Sequence, residues 1–275
     1  MTKILFLLLT TPTFAATGVA QNPATPKLKI DVSALPAQAT MIDDVVVPVP
    51  SEIFGVLDKL GKPPWSKVLR ADKNGNTPIG TDSPRIALQL GTVIAEGFIA
   101  VEAENAVEVK NIGGNVRRLA KALGVEKQVQ ERAQAIIDGA NAKDWPAVRL
   151  ELDGALQDVR QAMMELGSEA LSQLVSLGGW LRGTEALTEV VTSSYSKDGA
   201  ELLHQPVLLD YFDRRISTMK PKEKSNPLVG EIHAGLLEIR PLIGIDDGSQ
   251  ISEKTVKEIG GVATRLVKAI NAHAK

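Results

Sequence analysis

The sequence contains no cysteine. This absence excludes disulfide bonds, thiolate catalysis, iron–sulfur clusters, covalent c-type haem attachment and a lipid anchor on a cysteine. Aromatic residues make up only 4% of the chain, which weakens any role that depends on stacking against bases or sugars. Neither sign of charge dominates, because 31 basic residues stand against 33 acidic ones. We therefore expect no nucleic-acid partner.

The chain also lacks the short motifs of the common hydrolases and nucleotide-binding enzymes. It has no Gly-x-Ser-x-Gly elbow, no phosphate-binding loop, no dinucleotide fingerprint and no His-Glu-x-x-His pair. Catalysis by two carboxylates from distant parts of the chain stays open, since such a pair leaves no local motif. No cofactor is implied by these observations.

Residues 1–20 have the pattern of a secretory signal peptide. Lys3 precedes a short apolar core, Ile4–Leu9, and the small residues that follow fit cleavage after Ala15 or after Ala20. The core is too short to anchor the chain, because a membrane span takes roughly 20 apolar residues. We predict a periplasmic or secreted protein without a transmembrane anchor.

The remainder divides into a proline-rich leader, residues 21–50, and one all-helical domain, residues 51–275. Proline fixes φ and removes a hydrogen-bond donor, so the leader should be extended or linker-like, with at most a short edge strand in "DDVVVPVP". A compact helix should begin at Ser51, and Pro206 should end or kink a later one. Helical periodicity then marks longer segments at about 83–107, 112–123, 125–140, 144–166, 169–193, 227–243 and 251–273.

We therefore predict an all-α, bundle-like domain of about eight or nine helices. A weak internal echo aligns residues 148–163 with 255–270, and Leu90-Gly91 with Leu177-Gly178. This echo suggests two pseudo-equivalent four-helix halves. Amphipathic periodicity alone would also force such apolar matches, so a single undivided bundle is an equal alternative.

Two predicted helices are unusually apolar, yet each carries a narrow polar stripe. At about 100° per residue, four polar side chains of the first helix share one face, as do four of the second. These are Arg85, Gln89, Thr92 and Glu96 in the first helix, and Arg182, Glu185, Glu189 and Thr192 in the second.

The stripes have two interpretations. In the first, they are the solvent-facing edges of core helices, with Arg182 and Glu185 forming a weak surface pair. Alternatively the helices cross with their stripes facing, so that Arg182 pairs with Glu96 or Glu185 in the interior, where an unpaired charge is costly. In a functional version of the second interpretation the stripes line a small polar cleft. The candidate ligand-binding residues are then Glu96, Arg182, Glu185, Gln89 and Thr92.

A metal site is the alternative chemistry. Glu201 and His204 form a Glu-x-x-His pair of the kind used by carboxylate di-iron bundles, with glutamates from the two striped helices as further ligands. The second such pair is missing, since Glu231 and His233 are spaced as Glu-x-His. With three histidines in the chain, a site rich in histidine is disfavoured.

The sequence thus favours a non-catalytic module of the bacterial cell envelope that binds a protein or a small molecule. The competing hypothesis is a metal-binding or carboxylate-based enzyme built on Glu201, His204 and the central glutamates. A cell-envelope scaffold is the third class, and it predicts an extensive exposed apolar patch.

Overall fold

The computed structural model describes residues 40–42, 45–47, 63–70, 79–244 and 250–272. Within these ranges the chain is almost entirely helical, with eight helices of 12 residues or more. The prediction of an all-α, bundle-like domain is confirmed. The predicted signal peptide and the helix expected to begin at Ser51 lie outside the described residues.

The element order is as follows. A hairpin of two antiparallel strands, β1 (Thr40–Ile42) and β2 (Val45–Val47), pairs Met41 with Val46. The helices are α1 (Trp65–Val68), α2 (Ser83–Glu102), α3 (Ala106–Ala122), α4 (Glu126–Ala142), α5 (Trp145–Glu165), α6 (Glu169–Ser193), α7 (Lys197–Glu201), α8 (Pro206–Ser217), α9 (Pro221–Lys224), α10 (Pro227–Ile243) and α11 (Glu253–Asn271).

Helix boundaries follow local signals in the sequence. The side chains of Asn105 and Asp144 accept hydrogen bonds from backbone N–H groups in the first turns of α3 and α5, which satisfies donors that the helix leaves free. Gly167, with φ of +65°, makes the turn between α5 and α6 at little steric cost. The first apolar segment stops short of the predicted residue 107, because Glu104 turns the chain in a left-handed conformation before Asn105.

Two stretches differ from the sequence-based prediction. Pro206 does not end a helix but begins α8, after α7 has already stopped at Glu201; proline suits the first turn because the N–H it lacks would be unpaired there anyway. The basic stretch 220–226 lies outside the predicted helical segments, and it contains the one-turn helix α9. Pro221 again begins that turn.

The long helices form two consecutive groups of four. In the first group each of α2, α3, α4 and α5 packs on the next, and α5 returns to α2. In the second group α6, α8, α10 and α11 repeat this order, and α11 returns to α6. The echo seen in the sequence places residues 148–163 in α5 and residues 255–270 in α11, the closing helices of the two groups.

The two groups join where the first helices, α2 and α6, cross. Gly91 of α2 lies against the backbone carbonyl of Val175, and Gly178 of α6 lies against the backbone carbonyl of Leu88. The contact is reciprocal, because the same offset of 87 positions separates Leu88 from Val175 and Gly91 from Gly178. A Cβ atom at either glycine would collide with the facing backbone, so glycine permits this close approach.

The crossing pair forms the centre of the core. Nearly every apolar side chain of α2 is buried, including Leu88, Leu90, Ile94 and Phe98. Among the described residues α2 alone has the length and composition of a membrane span. Of its most apolar stretch, 78% is buried inside the protein. Burial of that extent is the behaviour of a core helix.

Candidate functional site

Arg182 lies in the interior between α2 and α6. Its residue exposure is 1%, and that of Glu96 on α2 is 8%. Arg182 Nε donates to Glu96 Oε2 at 2.5 Å, and Arg182 Nη2 donates to the backbone carbonyl of Val68 at 2.6 Å. The two polar stripes therefore do face each other at this level, as the second interpretation of the sequence requires, and the pairing is internal.

Glu185, one turn further along α6, is fully buried. Its Oε2 atom lies 3.3 Å from Arg182 Nη1, but the pair lacks hydrogen-bond geometry. Its Oε1 atom accepts from Arg70 Nη2 at 2.5 Å. Arg70 also approaches Glu189, with 3.5 Å between Nη2 and Oε1. We call Arg70, Glu96, Arg182 and Glu185 the charge cluster; Glu189 lies at its exposed rim.

The segment Pro63–Arg70, which contains α1, closes the cluster. Trp65 and Val68 are buried against the core, and the backbone N–H of Arg70 donates to Glu96 Oε1. The segment thus contributes a carbonyl, an N–H and a guanidinium to the same cluster. The side chain of Arg70 is 42% exposed, so the cluster reaches the surface on this side.

Burial and pairing act in opposite directions on Glu96. Desolvation raises the pKa of this carboxyl above its ordinary value, while Arg182 and Arg70 oppose the rise by favouring the charged form. Carboxylates with perturbed pKa values are frequent in functional sites, but structural ion-pair networks produce them too. Here each carboxylate of the charge cluster already contacts an arginine.

Gln89 and Thr92, predicted to share the site with Glu96, point to other partners. Gln89 Nε2 donates to the backbone carbonyl of Ile270 at 3.1 Å, and Arg85 donates to the carbonyl oxygens of Ala269 and Ile270. These two side chains therefore satisfy carbonyl groups at the C-terminal end of α11. Thr92 Oγ1 donates to the carbonyl of Gln89 in its own helix at 2.8 Å.

Glu201 and His204 contact each other at the surface. Glu201 Oε1 and His204 Nδ1 are 3.1 Å apart, and both side chains are partly exposed. Among the described residues no group of three or more histidine, aspartate or glutamate side chains is placed to hold a metal ion. His233 instead contacts Asp213, with 2.6 Å between Nε2 and Oδ1.

Sequence reasoning missed one member of the charge cluster, Arg70, and the carbonyl of Val68 that accepts from Arg182. Arg70 and Val68 lie in a short stretch beside a turn-rich loop, and their contacts span 26 to 119 positions along the chain. No local periodicity marks such contacts. The signal that the sequence offered was the apolar Trp65 and Val68 just before the basic Arg70.

No family model, curated protein sequence or solved structure matches the chain. The chemistry of the site is therefore the basis for a functional proposal. The α2–α6 surface holds residues 63–70 in two ways. Glu96 and Glu185 accept from the backbone N–H and the guanidinium of Arg70, and the apolar core packs against Trp65 and Val68.

Proposed function

We propose that this protein is an exported, non-catalytic binding module of the bacterial cell envelope. Its α2–α6 face recognises a short protein segment that combines a bulky apolar side chain with an arginine. In the structure the chain's own residues 63–70 occupy that face.

One observation carries the proposal, the way in which the segment is held. Trp65 and Val68 supply buried apolar anchors, and Arg70 supplies a cation for the buried carboxylate of Glu185. Anchors of this kind, an aromatic side chain in a pocket and an arginine on a carboxylate, dominate the energy of protein interfaces. A partner segment with the same chemistry would compete for the same face.

The state of the carboxylates favours binding over catalysis. A general acid or base must reach a substrate proton, whereas Glu96 and Glu185 are buried and engaged by Arg182 and Arg70. Glu201 is engaged by His204. No observation on the described residues favours the metal-based alternative.

A peptide added in trans tests the proposal. The peptide has the sequence of residues 61–72, "GKPPWSKVLRAD", and the protein is the full chain with Trp65→Ala and Arg70→Ala, which loosen its own segment. We expect the variant to bind the peptide at least about tenfold more tightly than the wild-type chain, whose tethered segment competes at a high effective concentration. Isothermal titration calorimetry measures both affinities.

Two controls make the result specific. A peptide carrying Arg70→Glu should bind more weakly, because it places a like charge beside Glu185. Adding Glu185→Gln to the protein variant should also weaken binding. Equal binding of both peptides, or none by the loosened variant, would show that residues 63–70 are only a fixed part of the core.

Export is tested separately on protein recovered from the periplasm of a bacterial host. We expect a mature N-terminus at Ala16 or Gln21, as the two predicted cleavage positions require. An intact Met1 on exported material would contradict the signal-peptide prediction.

A further inference from the structure

A second buried arginine has no counter-charge among the described residues. Arg160 lies on α5 with an exposure of 9%. Its Nε atom is sealed from solvent and has no hydrogen-bond partner, and no described carboxylate forms an ion pair with it. An arginine keeps its charge in proteins, so Arg160 is a buried positive charge that meets no anion among the described residues.

Polar side chains of α6 and α8 meet α5 near Arg160. On α6, Ser172 Oγ donates to the backbone carbonyl of Arg160 at 3.3 Å. On α8, the hydroxyl of Tyr211 donates to Oε1 of Gln173 at 2.5 Å. Burial lowers the pKa of Arg160, and Tyr211 opposes that shift.

A second arginine lies nearby, but its charge is compensated. The guanidinium carbon of Arg215 is 5.4 Å from the centre of the Tyr211 ring, and Arg215 Nη1 lies 3.0 Å from Glu169 Oε1. Glu169 is largely exposed. The Arg215–Glu169 pair is therefore the more exposed part of this group, and Arg160 is the arginine that forms no ion pair among the described residues.

We propose that Arg160, with the amide N–H group of Gln173 that Tyr211 orients, binds the carboxylate of a small organic acid. A guanidinium presents paired N–H donors that match the two oxygens of a carboxylate. The charge also matches, since one carboxylate neutralises the single unpaired cation. A buried charge without such a partner is expensive, and this site lies outside the charge cluster that carries the proposed function.

Acetate is the probe, with chloride as the reference ion at constant ionic strength. The protein is the full chain labelled with ¹⁵N in its arginine side chains, and NMR follows the Nε–Hε signals. We expect the Arg160 signal to shift saturably with acetate and not with chloride. The signal of Arg214, an exposed neighbour on α8, should stay in place.

Variants link the shift to the proposed residues. Arg160→Lys keeps the charge but loses the paired donors, and Tyr211→Phe removes the hydroxyl that holds Gln173 in place. Each should weaken acetate binding, Arg160→Lys at least about tenfold. These binding titrations are followed on backbone amide signals. Arg214→Gln is the matched control and should leave acetate binding unchanged.

Three results would overturn the proposal. The first is an equal response of the Arg160 signal to acetate and chloride, which would indicate a non-specific ion effect. The second is unchanged acetate binding in Arg160→Lys and Tyr211→Phe. The third is saturable binding of inorganic phosphate without binding of acetate, which would assign the site to a different oxyanion.

Discussion

Arg182 on α6 and Arg160 on α5 are buried arginines of neighbouring helices, and their surroundings differ. At the α2–α6 interface, Arg182 meets two carboxylates and a backbone carbonyl. At the junction of α5, α6 and α8, Arg160 has no carboxylate among the described residues. At the first interface the charges are balanced within the chain, and at the second no described residue supplies an anion.

The difference separates two reasons for placing a charge in a core. A buried ion pair that meets its partners inside the chain fixes how helices and segments dock, although its net stability is often small. A buried charge that meets no partner marks a position where something else must supply the counter-charge. The charge cluster is the first kind, and Arg160 is the second.

The largest expected effect is the loss of Arg182. Arg182→Ala should lower the free energy of unfolding by about 3–5 kcal/mol, because it leaves the buried carboxylates of Glu96 and Glu185 without their shared cation. Arg240→Ala is the matched control, since Arg240 pairs with Asp210 at the surface; its effect should stay below about 1 kcal/mol. Chemical denaturation measures both, and similar small losses would place the Arg182 cluster in solvent.

The glycine crossing gives the next largest effect. Gly178→Ala should destabilise by about 1–3 kcal/mol, since the new Cβ meets the backbone of Leu88. Gly183→Ala on the same helix meets nothing within 4 Å and should stabilise by up to about 1 kcal/mol, because alanine is the better helix former. Thermal or denaturant unfolding distinguishes the two, and two changes of the same sign would contradict the close approach of α2 and α6.

Glu96 makes the free energy of unfolding depend on pH, and this smaller effect has a definite sign. Because burial raises the pKa of Glu96, the folded protein takes up this proton at a higher pH than the unfolded chain. Glu96 therefore contributes more favourably to stability as the pH falls toward its ordinary pKa and less favourably as it rises.

Glutamine at this position cannot titrate. The free energy of unfolding of the wild type, relative to Glu96→Gln, should consequently be more favourable at about pH 5 than at about pH 7. The same comparison for Glu201→Gln, at an exposed carboxylate, serves as the control. A difference that grows toward neutral pH would show that Arg182 outweighs burial in setting this pKa.

The smallest expected effect concerns the Glu201–His204 pair. His204→Ala should leave the metal content of protein purified from the periplasm unchanged, because no third ligand joins this pair among the described residues. Elemental analysis of wild type and variant measures this. A stoichiometric metal lost on substitution would revive the metal-based alternative.

Much of the fold was accessible from the sequence. Helix α6 was predicted with its observed bounds, 169–193, as was α10, 227–243, because long apolar periodicity and flanking Gly167 or Pro227 define both. The one-turn helices α1 and α9 were missed, since four residues carry no measurable period. The division into two groups of four helices was one of two open alternatives.

The site was only partly accessible. The stripe pattern brought Glu96, Arg182 and Glu185 together, because residues on one helix face share a neighbour. It also included Gln89, whose partner lies on α11, and Thr92, whose partner lies within α2. The stripe pattern does not specify which neighbouring helix each of its side chains contacts. Arg160 had a signal that went unused: it shares the apolar face of α5 with Leu156 and Met163.

The contrast between the two arginines is tested most directly by measuring the unfolding free energies of Arg182→Gln and Arg160→Gln in buffer free of carboxylates. We predict opposite signs. Arg182→Gln should destabilise the protein, because it breaks a buried pair. Arg160→Gln should stabilise it, because it removes a buried charge that lacks a partner. A comparable loss of stability in both variants would contradict the account.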